Sequence, residues 1–303
     1  MIDAKVFSLL AVAELKNITK AAEVLSLTQP AVSHHISQLE KELGVTLFIR
    51  GKGRLELTES GKTVVKYAKM MVSAQERMRV ALFDEGRHLT RLRIGITHTA
   101  ESNIIVEVLA KYGNDNPNVI ITIITDTIKN LYTMLESYEL DLVIAEGRPN
   151  NNSMSSLLLD TDYLVCAVAN ENPISKKPMV TISGLKNQKM IMRLPESGTV
   201  NLFAASLESI NESIDDFNII LEVDNIATIK DLIRKNLGVS VLPKSTCMDE
   251  ARKKKLTLLP IENMSMLRET NIIYQKDFSH PEVLQDIMSI YKKAIKAKVK
   301  LRS

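Results

Sequence analysis

Apolar residues recur at helical spacing between Thr28 and Gly44, in a segment of the length expected for one short helix. Their intervals of four, three and four residues place them on a single stripe: Val32, Ile36, Leu39 and Leu43. The opposite side of the same helix carries small or polar side chains, namely Pro30, Ser33, His34, Ser37, Gln38 and Lys41. Many surface helices share this texture, so the flanking segments decide what this one does.

Signals for helix starts and ends divide the N-terminal region into three helices. A first helix is expected over residues 3–15 and a second over Lys20–Leu25, with Thr19 as the N-cap of the second. Thr28 can cap the third helix and Gly44 can end it. The pattern predicts that the second and third helices are joined by a tight turn and that the first helix packs against them.

After Gly44 the chain alternates as two short strands around a glycine-rich tip, which predicts a β-hairpin. The tip carries three cations, Arg50, Lys52 and Arg54. Cations on a small exposed loop suit phosphate oxygens, although a solvated turn without a partner would have the same sequence. Beside a helix-turn-helix we favour a wing that contacts a nucleic-acid backbone.

A long helix is expected from Thr58 to about Arg87, with apolar residues at alternating intervals of four and three. This seam consists of Val64, Ala68, Met71, Gln75, Met78 and Leu82. One interpretation is a single helix that covers its own domain. A stripe this narrow on a helix this long favours burial against a second copy, and a two-fold homodimer would suit a pseudo-palindromic DNA site.

Beyond Leu92, strands alternate with helices, which is the pattern of an α/β domain. A first group of elements is expected at Leu92–Thr97, Ser102–Tyr112, Val119–Thr125, Ile128–Tyr138 and Leu140–Ala145. A second group of strands is expected at Tyr163–Ala169, Met190–Met192, Ile219–Val223, Val239–Leu242 and Leu256–Leu259. The β-branched run in Val119–Thr125 predicts a central strand buried on both faces. The strand Arg268–Tyr274 and the helix from Pro281 to about Lys298 are expected to return to the first group, which gives two lobes.

Composition limits the possible functions. A chain of 303 residues is too long for one ordinary domain, and its net charge is only +3. That excess lies in residues 1–90, which hold 13 Lys and Arg against 10 Asp and Glu, so nucleic-acid contact would depend on local placement of charge. Without a signal-peptide pattern or an apolar run of roughly 20 residues, a cytoplasmic location is expected. Cys166 and Cys247 are too few for a disulfide framework or a metal site.

The N-terminal stretch resembles the LysR-type transcriptional regulators. The matching positions are Ala21, Ala22, Leu25, Thr28–Ser33, Ile36, Leu39, Glu40, Leu43, Gly44, Leu47, Phe48, Arg50, Leu57, Thr58, Glu59 and Gly61. Looser matches follow at Leu92–Gly95, Leu140–Leu142, Ser197–Thr199 and Gly238–Pro243. The resemblance therefore extends through the whole chain and is most specific over its first sixty residues.

The resemblance implies an α+β multidomain protein. Its parts would be a winged helix-turn-helix at 1–58, a dimerising linker helix at 59–89 and a two-lobed α/β effector domain at 90–303 that resembles type 2 periplasmic binding proteins. Lobe I would comprise about residues 90–161 and 267–303, and lobe II about residues 162–266. The family also implies a homodimer or homotetramer on double-stranded promoter DNA and a small-molecule co-inducer without any other cofactor. RNA polymerase is a further candidate partner.

For DNA binding, the candidate residues are Gln29, Pro30, Ser33, His34, Ser37 and Gln38 in the groove, with Arg50, Lys52 and Arg54 on the backbone. Gln can pair with adenine, and Ser with several base edges. Many family members carry Arg at the positions of His34 and Ser37, so base readout here is expected to depend on hydrogen bonds more than on charge. His35 lies nearer the apolar stripe and is expected to pack.

Candidate effector-binding residues lie where strands end and helices begin: Thr97, His98, Thr99, Thr127, Arg193, Ser197 and Thr199. Hydroxyls and free amides at helix N-termini can hold an anion. Ser and Thr are also common helix caps, and capping explains each group by itself more readily. Together, at positions that match the family, they predict a site for a small anionic effector between the lobes. Arg193 either adds a cation to this site or is solvated.

Two other functions have less support. A solute-binding protein without a DNA role would share the two lobes, but it would need a signal peptide and no wing. An enzyme would need a nucleophile elbow, a phosphate loop, zinc spacing or paired carboxylates, and none stands out. Asp126 and Glu146 end strands near the expected cleft without an identifiable catalytic partner. A DNA-binding, effector-responsive regulator without enzymatic activity is the expected function.

Overall fold

A small apolar core organises the N-terminal helices. The computed structural model describes residues 1–51, 54–85, 89–101 and 104–300. Its first helices are α1 (Ala4–Leu15), α2 (Ile18–Val24) and α3 (Gln29–Leu43). Leu9 of α1, Ala21 of α2 and Val32 of α3 are almost fully buried in one shared core. Full burial of a Leu or Val side chain contributes about 1.5–3 kcal/mol, so this core holds the three helices together.

Capping groups set the ends of these helices. Thr28 accepts a hydrogen bond from the Ala31 amide at 3.3 Å, and Gly44 ends α3 with φ 67°, so both of these predictions are confirmed. The predicted cap Thr19 is wrong, because Asn17 occupies that position and accepts from the Lys20 amide at 3.0 Å. Asn17 has the extended backbone of an N-cap, and α2 therefore starts earlier than expected.

The apolar stripe of α3 is shorter than its sequence suggests. Val32, Ile36 and Leu39 are buried, whereas Leu43 is 49% exposed, which contradicts its predicted place in the core. Leu43 is the last residue of α3, so the stripe extends past the surface that the first two helices cover.

A hairpin and a long helix complete the N-terminal part. Strands β1 (Phe48–Gly51) and β2 (Arg54–Leu57) pair antiparallel. The long helix α4 (Glu59–Glu85) follows at once, and the Thr58 hydroxyl caps it by accepting from the Gly61 amide at 2.8 Å. Gly61 brings this first turn against the backbone of Leu47, where a Cβ would lie 2.1 Å from the carbonyl oxygen.

The seam of α4 divides into a packed part and an exposed part. Ala68 is buried in the N-terminal core, and Val64 packs against that core. Met71, Met78 and Leu82 are each more than half exposed in the single chain. The seam therefore covers its own domain at one end and leaves an apolar row uncovered towards the other.

The chain divides into two compact units, Met1–Thr90 with Thr133–Glu139, and Arg91–Tyr132 with Leu140–Ser303. The second unit contains β3 (Thr90–Ile96), β4 (Val119–Thr125), β5 (Leu142–Glu146), β6 (Met154–Val168), β7 (Met190–Met192), β8 (Ile219–Glu222), β9 (Ser240–Pro243), β10 (Thr257–Leu259) and β11 (Leu267–Gln275). Its helices are α5 (His98–Glu101), α6 (Ile105–Asp115), the first part of α7 (Ile128–Glu136), α8 (Ile182–Lys186), α9 (Gly198–Glu208), α10 (Ile226–Arg234), α11 (Lys244–Arg252) and α12 (Pro281–Lys300).

Two separate apolar cores define two lobes within this unit. One core draws its buried residues from positions 92–159 and 272–291, including α6 and α12. The other draws them from positions 164–266, between β6 and the approach to β11. The return of β11 and α12 to the first lobe is confirmed, since β11 pairs with β5 and α12 shares a core with α6.

Two adjacent strands connect the lobes. β6 is a continuous strand of 15 residues, longer than the predicted Tyr163–Ala169. Its first part pairs with β11, and its last part pairs with β9 and β10. At the crossing, Asp162 of β6 lies opposite Arg268 of β11. The first half of β6 is harder to predict from sequence, because the polar blocks Ser155–Ser156 and Asp160–Asp162 interrupt its apolar run after only three residues, Leu157–Leu159.

The prediction that Val119–Thr125 is a central strand is wrong. The strand order of the seven-stranded sheet is β10, β6, β11, β5, β3, β4, with β9 also paired to β6, so β4 lies at an edge. Ile120 and Ile123 are each more than a third exposed. A β-branched run reports a preference for extended backbone, and the position of a strand within its sheet depends on residues elsewhere in the chain.

The first turn after β3 also differs from expectation. A helix was expected from Ser102, which lies outside the described residues, and the described helix α6 begins at Ile105. His98 and Thr99 belong instead to the short helix α5, for which Thr97 supplies a cap by accepting from the Ala100 amide at 3.2 Å. Among the described helices, none has the length and apolarity that a membrane crossing needs.

The close approach of α4 to Leu47 makes a test of this packing possible. We expect Gly61→Ala to lower the free energy of unfolding of the N-terminal part by about 1–3 kcal/mol, because the added methyl group would overlap a backbone oxygen. Urea unfolding followed by far-UV circular dichroism measures the change. Gly198→Ala is the matched control, since its Cβ would meet no atom within 4 Å. Equal unfolding midpoints for both variants would contradict this account.

Candidate DNA interface and effector site

The polar row of α3 is presented to solvent. Gln29, Pro30, His34, Ser37 and Gln38 are exposed, and Ser33 is half-buried. The Gln29 amide donates to the Ser33 hydroxyl at 3.1 Å. The predicted groove candidates therefore lie together on one helix, opposite a buried stripe, with donors and acceptors that suit base edges.

His35 is held by the protein and does not belong to this row. Its Nδ1 lies 2.8 Å from the Ser8 hydroxyl of α1, and the ring is half-buried. The prediction that His35 packs is confirmed. His34, its neighbour, is exposed on the polar face.

The hairpin is fixed to α3 by a carboxylate that the sequence reading did not single out for this role. Glu40 Oε1 accepts from the Leu47 amide at 2.7 Å and from the Phe48 amide at 3.4 Å. The Thr58 hydroxyl also donates to the Thr46 carbonyl at 2.7 Å. These bonds fix where the strands of the hairpin start and finish relative to the polar row.

Two of the three predicted cations of the wing, Arg50 and Arg54, lie on the paired strands β1 and β2. Lys52 lies outside the described residues. Their contact with a DNA backbone stays a prediction.

A set of charged side chains from both lobes meets in the second unit. We call it the inter-lobe cluster: Thr97, His98, Glu146, Arg193, Asp224 and Arg268. Thr97 and His98 follow β3 of the first lobe, and Glu146 is the last residue of β5 in the same lobe. Arg193 and Asp224 follow β7 and β8 of the second lobe. Arg268 lies on β11, at the crossing between the lobes.

Arg193 is the buried cation of the second lobe. Its side chain is only 3% exposed, and its Nη2 lies 2.8 Å from Asp224 Oδ1. Burial lowers the pKa of the Arg193 guanidinium, and the Asp224 carboxylate opposes that shift. The second oxygen of Asp224 lies 3.7 Å from His98 Nε2, which belongs to the other lobe. Arg193 is therefore part of the cluster and is not solvated.

A second arginine is arranged in the same way on the other side of the cluster. Arg268 Nη2 lies 2.7 Å from Glu146 Oε1, and the same oxygen accepts from the Thr97 hydroxyl at 3.0 Å. Burial raises the pKa of Tyr132, and the negative charge of Glu146 raises it further, to about 12. The phenol therefore stays protonated and is able to donate a hydrogen bond.

Both guanidinium groups are only partly used. The Nε and Nη1 atoms of Arg193 and Arg268 are buried and have no hydrogen-bond acceptor among the described residues. Tyr132 Oη and Thr199 Oγ1 are in the same condition. A buried donor without a partner costs about 1–3 kcal/mol, so such a concentration of them is typical of a site that binds an acceptor-rich ligand.

The other predicted effector residues fall into two groups. Thr99 and Thr199 are buried, at 4% and 0% exposure. Thr127 is exposed and caps α7 by accepting from the Asn130 amide, and Ser197 caps α9 by accepting from the Val200 amide. Helix capping explains why Thr127 and Ser197 occupy their positions. It does not explain the buried Thr199 hydroxyl, which has no hydrogen-bond partner among the described residues.

Asp224 and Arg268 are functional candidates that sequence reasoning missed. Asp224 lies two residues after the end of β8 and immediately precedes Asn225, the cap of α10, so a search for polar residues between strand ends and helix starts would also have found it. Arg268 had no such signal, because its partner Glu146 lies 122 residues away in the sequence.

Redox and metal chemistry find little support in the described residues. Burial raises the pKa of the Cys166 thiol to about 12 and that of Cys247 to about 11, so both remain protonated and poorly reactive. Within the described ranges, no group of three or more His, Cys, Asp and Glu side chains is placed to hold a metal ion.

Comparison with known proteins accounts for both parts of the chain. Residues 5–62 match the family described as "Bacterial regulatory helix-turn-helix protein, lysR family". Residues 85–296 match the "LysR substrate binding domain". Together these matches cover the helix-turn-helix, the hairpin and the two-lobed unit.

Curated relatives are similar over most of their length. The HTH-type transcriptional regulator CysL of Bacillus subtilis is 26% identical over 266 residues, which cover 88% of each chain. The HTH-type transcriptional activator CmpR of Synechocystis is 27% identical over 267 residues, covering 88% of this chain and 86% of that relative.

Solved structures share the fold at lower identity. CbnR, a LysR family transcriptional regulator, superposes with a TM-score of 0.66 at 16% identity, covering 97% of this chain and 99% of that chain. A full-length OxyR variant from Pseudomonas aeruginosa gives a TM-score of 0.63 at 19% identity, covering 96% of this chain and 95% of that chain. The predicted fold class, a winged helix-turn-helix with a linker helix and a two-lobed effector domain, is confirmed by these full-length neighbours. The chain belongs to the LysR family of DNA-binding transcriptional regulators.

Proposed function

We propose that this regulator binds a promoter site as a homodimer or homotetramer and responds to a small anionic effector held by the inter-lobe cluster. The observation that carries the DNA half is the exposed polar row of α3 over a buried stripe. The effector half is carried by the buried donors of Arg193 and Arg268 that lack acceptors among the described residues. In domain terms, residues 1–58 would bind DNA, 59–89 would dimerise and 90–303 would sense the effector.

In the DNA complex, α3 would enter the major groove and the hairpin would contact the phosphate backbone. Gln29, Ser33, His34, Ser37 and Gln38 would face base edges, with Pro30 at the entry of the helix and Arg50, Lys52 and Arg54 on phosphates. A structure of full-length CbnR, which superposes at a TM-score of 0.66 and 17% identity, is described as complexed with its target DNA. That likeness supports the same mode of docking for this chain. A promoter-binding protein acts where the chromosome is, so we place it in the cytoplasm.

RNA polymerase is a candidate partner at the promoter. The alternative function, a solute-binding protein without a DNA role, has no support from the match of residues 5–62 to a regulatory helix-turn-helix family. Regulation of transcription also requires no catalytic step, so we expect no enzymatic activity.

Base reading by α3 can be tested without knowing the natural operator. DNA sites are first selected by the wild-type protein from a random-sequence library, and variants are then titrated on the selected site. Gln38→Ala should weaken binding about 5- to 150-fold, because a bidentate side-chain contact contributes about 1–3 kcal/mol. Thr63→Ala, an exposed hydroxyl on α4 outside the polar row, is the control and should bind as wild type. Equal affinity of both variants would remove Gln38 from the interface.

The wing should contribute affinity without sequence preference. Arg54→Ala in the same titration should weaken binding to selected and unrelated DNA alike, and should reduce the slope of log K against log salt by about 1. A loss confined to the selected site would instead assign Arg54 to base reading.

The uncovered row of α4 should form the dimer contact. Met78→Glu would bury a charge in that contact and should shift the protein towards monomers in sedimentation-velocity ultracentrifugation. Lys69→Glu is the control, because nine residues of helix place it on the opposite, exposed side. A Met78→Glu protein that sediments as wild type would show that α4 is not the contact.

The buried hydroxyls of Thr99 and Thr199 should contribute more to the effector response than the exposed hydroxyl of Thr127. Thr99→Ala and Thr199→Ala should keep DNA affinity but lose effector-dependent reporter expression in cells, because both side chains are buried in the first turns of helices that follow strands of the two lobes. Thr127→Ala should keep the response, since Thr127 is exposed and its described role is to cap α7. A response retained in both buried variants would place the effector elsewhere.

A further inference from the structure

The inter-lobe cluster contains its own acids. Arg193 and Arg268 each bond one carboxylate oxygen through Nη2 alone. A guanidinium has five N–H groups in a planar fork that can bind a carboxylate through two parallel bonds. Asp224 and Glu146 therefore neutralise the two cations while using only a small part of their hydrogen-bonding capacity.

The charge balance of the cluster creates a difficulty for an anionic effector. Two arginines face two carboxylates, so an added anion would leave an excess of negative charge in a partly buried site. Uncompensated buried charge is strongly unfavourable. An anion can therefore enter at low cost only if one of the two resident carboxylates leaves its arginine.

Asp224 and Glu146 differ in how readily they can leave. The Glu146 side chain is 14% exposed and is held by both Arg268 and Thr97. The Asp224 side chain is 48% exposed, and its contact with His98, at 3.7 Å, is longer than a hydrogen bond. Asp224 can therefore leave Arg193 and bind water instead at little cost. Arg193 is only 3% exposed and stays buried when Asp224 leaves.

From this asymmetry we infer that Asp224 is an internal substitute for the acidic group of the effector, and that a small carboxylate or inorganic oxyanion displaces it from Arg193. The inference rests on the proposed effector function of the cluster. The incoming group takes the Nη2 donor that Asp224 leaves, together with Nε or Nη1 of the same fork. Glu146 stays on Arg268.

Displacement also changes a contact between the lobes. Asp224 belongs to the second lobe and lies against His98 of the first. When Asp224 turns to solvent, that contact is lost and the bound anion takes its place near the boundary. Asp224 thus sets two quantities: the concentration at which an effector binds, and one of the contacts that distinguish the two lobe arrangements.

The test uses full-length protein and two defined probes, sodium acetate and sodium sulfate, with sodium chloride at equal ionic strength as the reference. Thermal unfolding as a function of probe concentration gives the half-saturating concentration. An internal competitor that occupies Arg193 about nine-tenths of the time raises the apparent dissociation constant about tenfold. We therefore expect Asp224→Asn to respond to at least one probe at about one-tenth of the wild-type concentration.

Three further variants separate this effect from general electrostatics. Glu222→Gln removes the same charge from an exposed residue two positions away and should leave the response at the wild-type concentration. Asp224→Glu restores a competing carboxylate and should return the response towards wild type. Arg193→Gln should abolish the response in both the wild-type and the Asp224→Asn background. Circular dichroism and binding to the selected DNA site confirm that each variant is folded.

The outcomes distinguish this inference from the proposed function. If Arg193→Gln abolishes the response but Asp224→Asn responds at the wild-type concentration, the effector site stands and the displacement of Asp224 is wrong. Should Glu222→Gln respond like Asp224→Asn, the effect is one of net charge and the inference is again wrong. A response that survives Arg193→Gln, or no response in Asp224→Asn to either probe, overturns the inference together with the anion site. The DNA titrations are unaffected by any of these results.

Discussion

The burial of two guanidinium groups constrains the whole effector domain. Removing an ion from water costs several kcal/mol even after relaxation, so states in which Arg193 and Arg268 are paired with acids are strongly favoured. One of these arginines lies on the strand that crosses between the lobes, and the other faces the boundary from the second lobe. The groups that can neutralise them come from both lobes, and the relative position of the lobes is therefore tied to the identity of the acid at Arg193.

Local signals were enough to predict the N-terminal helices. They did not predict contacts between residues that are far apart in the sequence. Thr28 and Gly44 act within a few residues of their own positions, which is why their roles could be read directly. The composition of β4 indicates an extended backbone, but the edge position of this strand depends on how the other strands pair. The ion pairs of Arg193 and Arg268 join residues 31 and 122 positions apart, so only the fold brings them together.

The long helix shows how one sequence pattern can serve two structural roles. Its apolar residues follow a single seam, but Ala68 is buried in the N-terminal core while Met71 and Met78 remain more than half exposed. The first interpretation therefore holds for the packed part of the seam, and burial of its exposed part against a second copy stays a prediction. Anchoring the first turns through Gly61 and Thr58 fixes the direction of the helix relative to the hairpin. In a dimer built on the exposed row, this anchoring would set the distance between two polar rows, and with it the spacing of DNA half-sites.

The effect that a ligand must produce is small. Coupling between two sites in regulated proteins typically amounts to about 1–3 kcal/mol, and one exchanged contact between partly exposed side chains supplies up to about 1 kcal/mol of it. A ligand changes the balance of two arrangements only through different affinity for them. Asp224 provides that difference because it contacts Arg193 in its own lobe and lies near His98 in the other. An acid that binds Arg193 without approaching His98 in the same way stabilises a different arrangement of the two lobes. This change requires no rearrangement of the apolar core of either lobe.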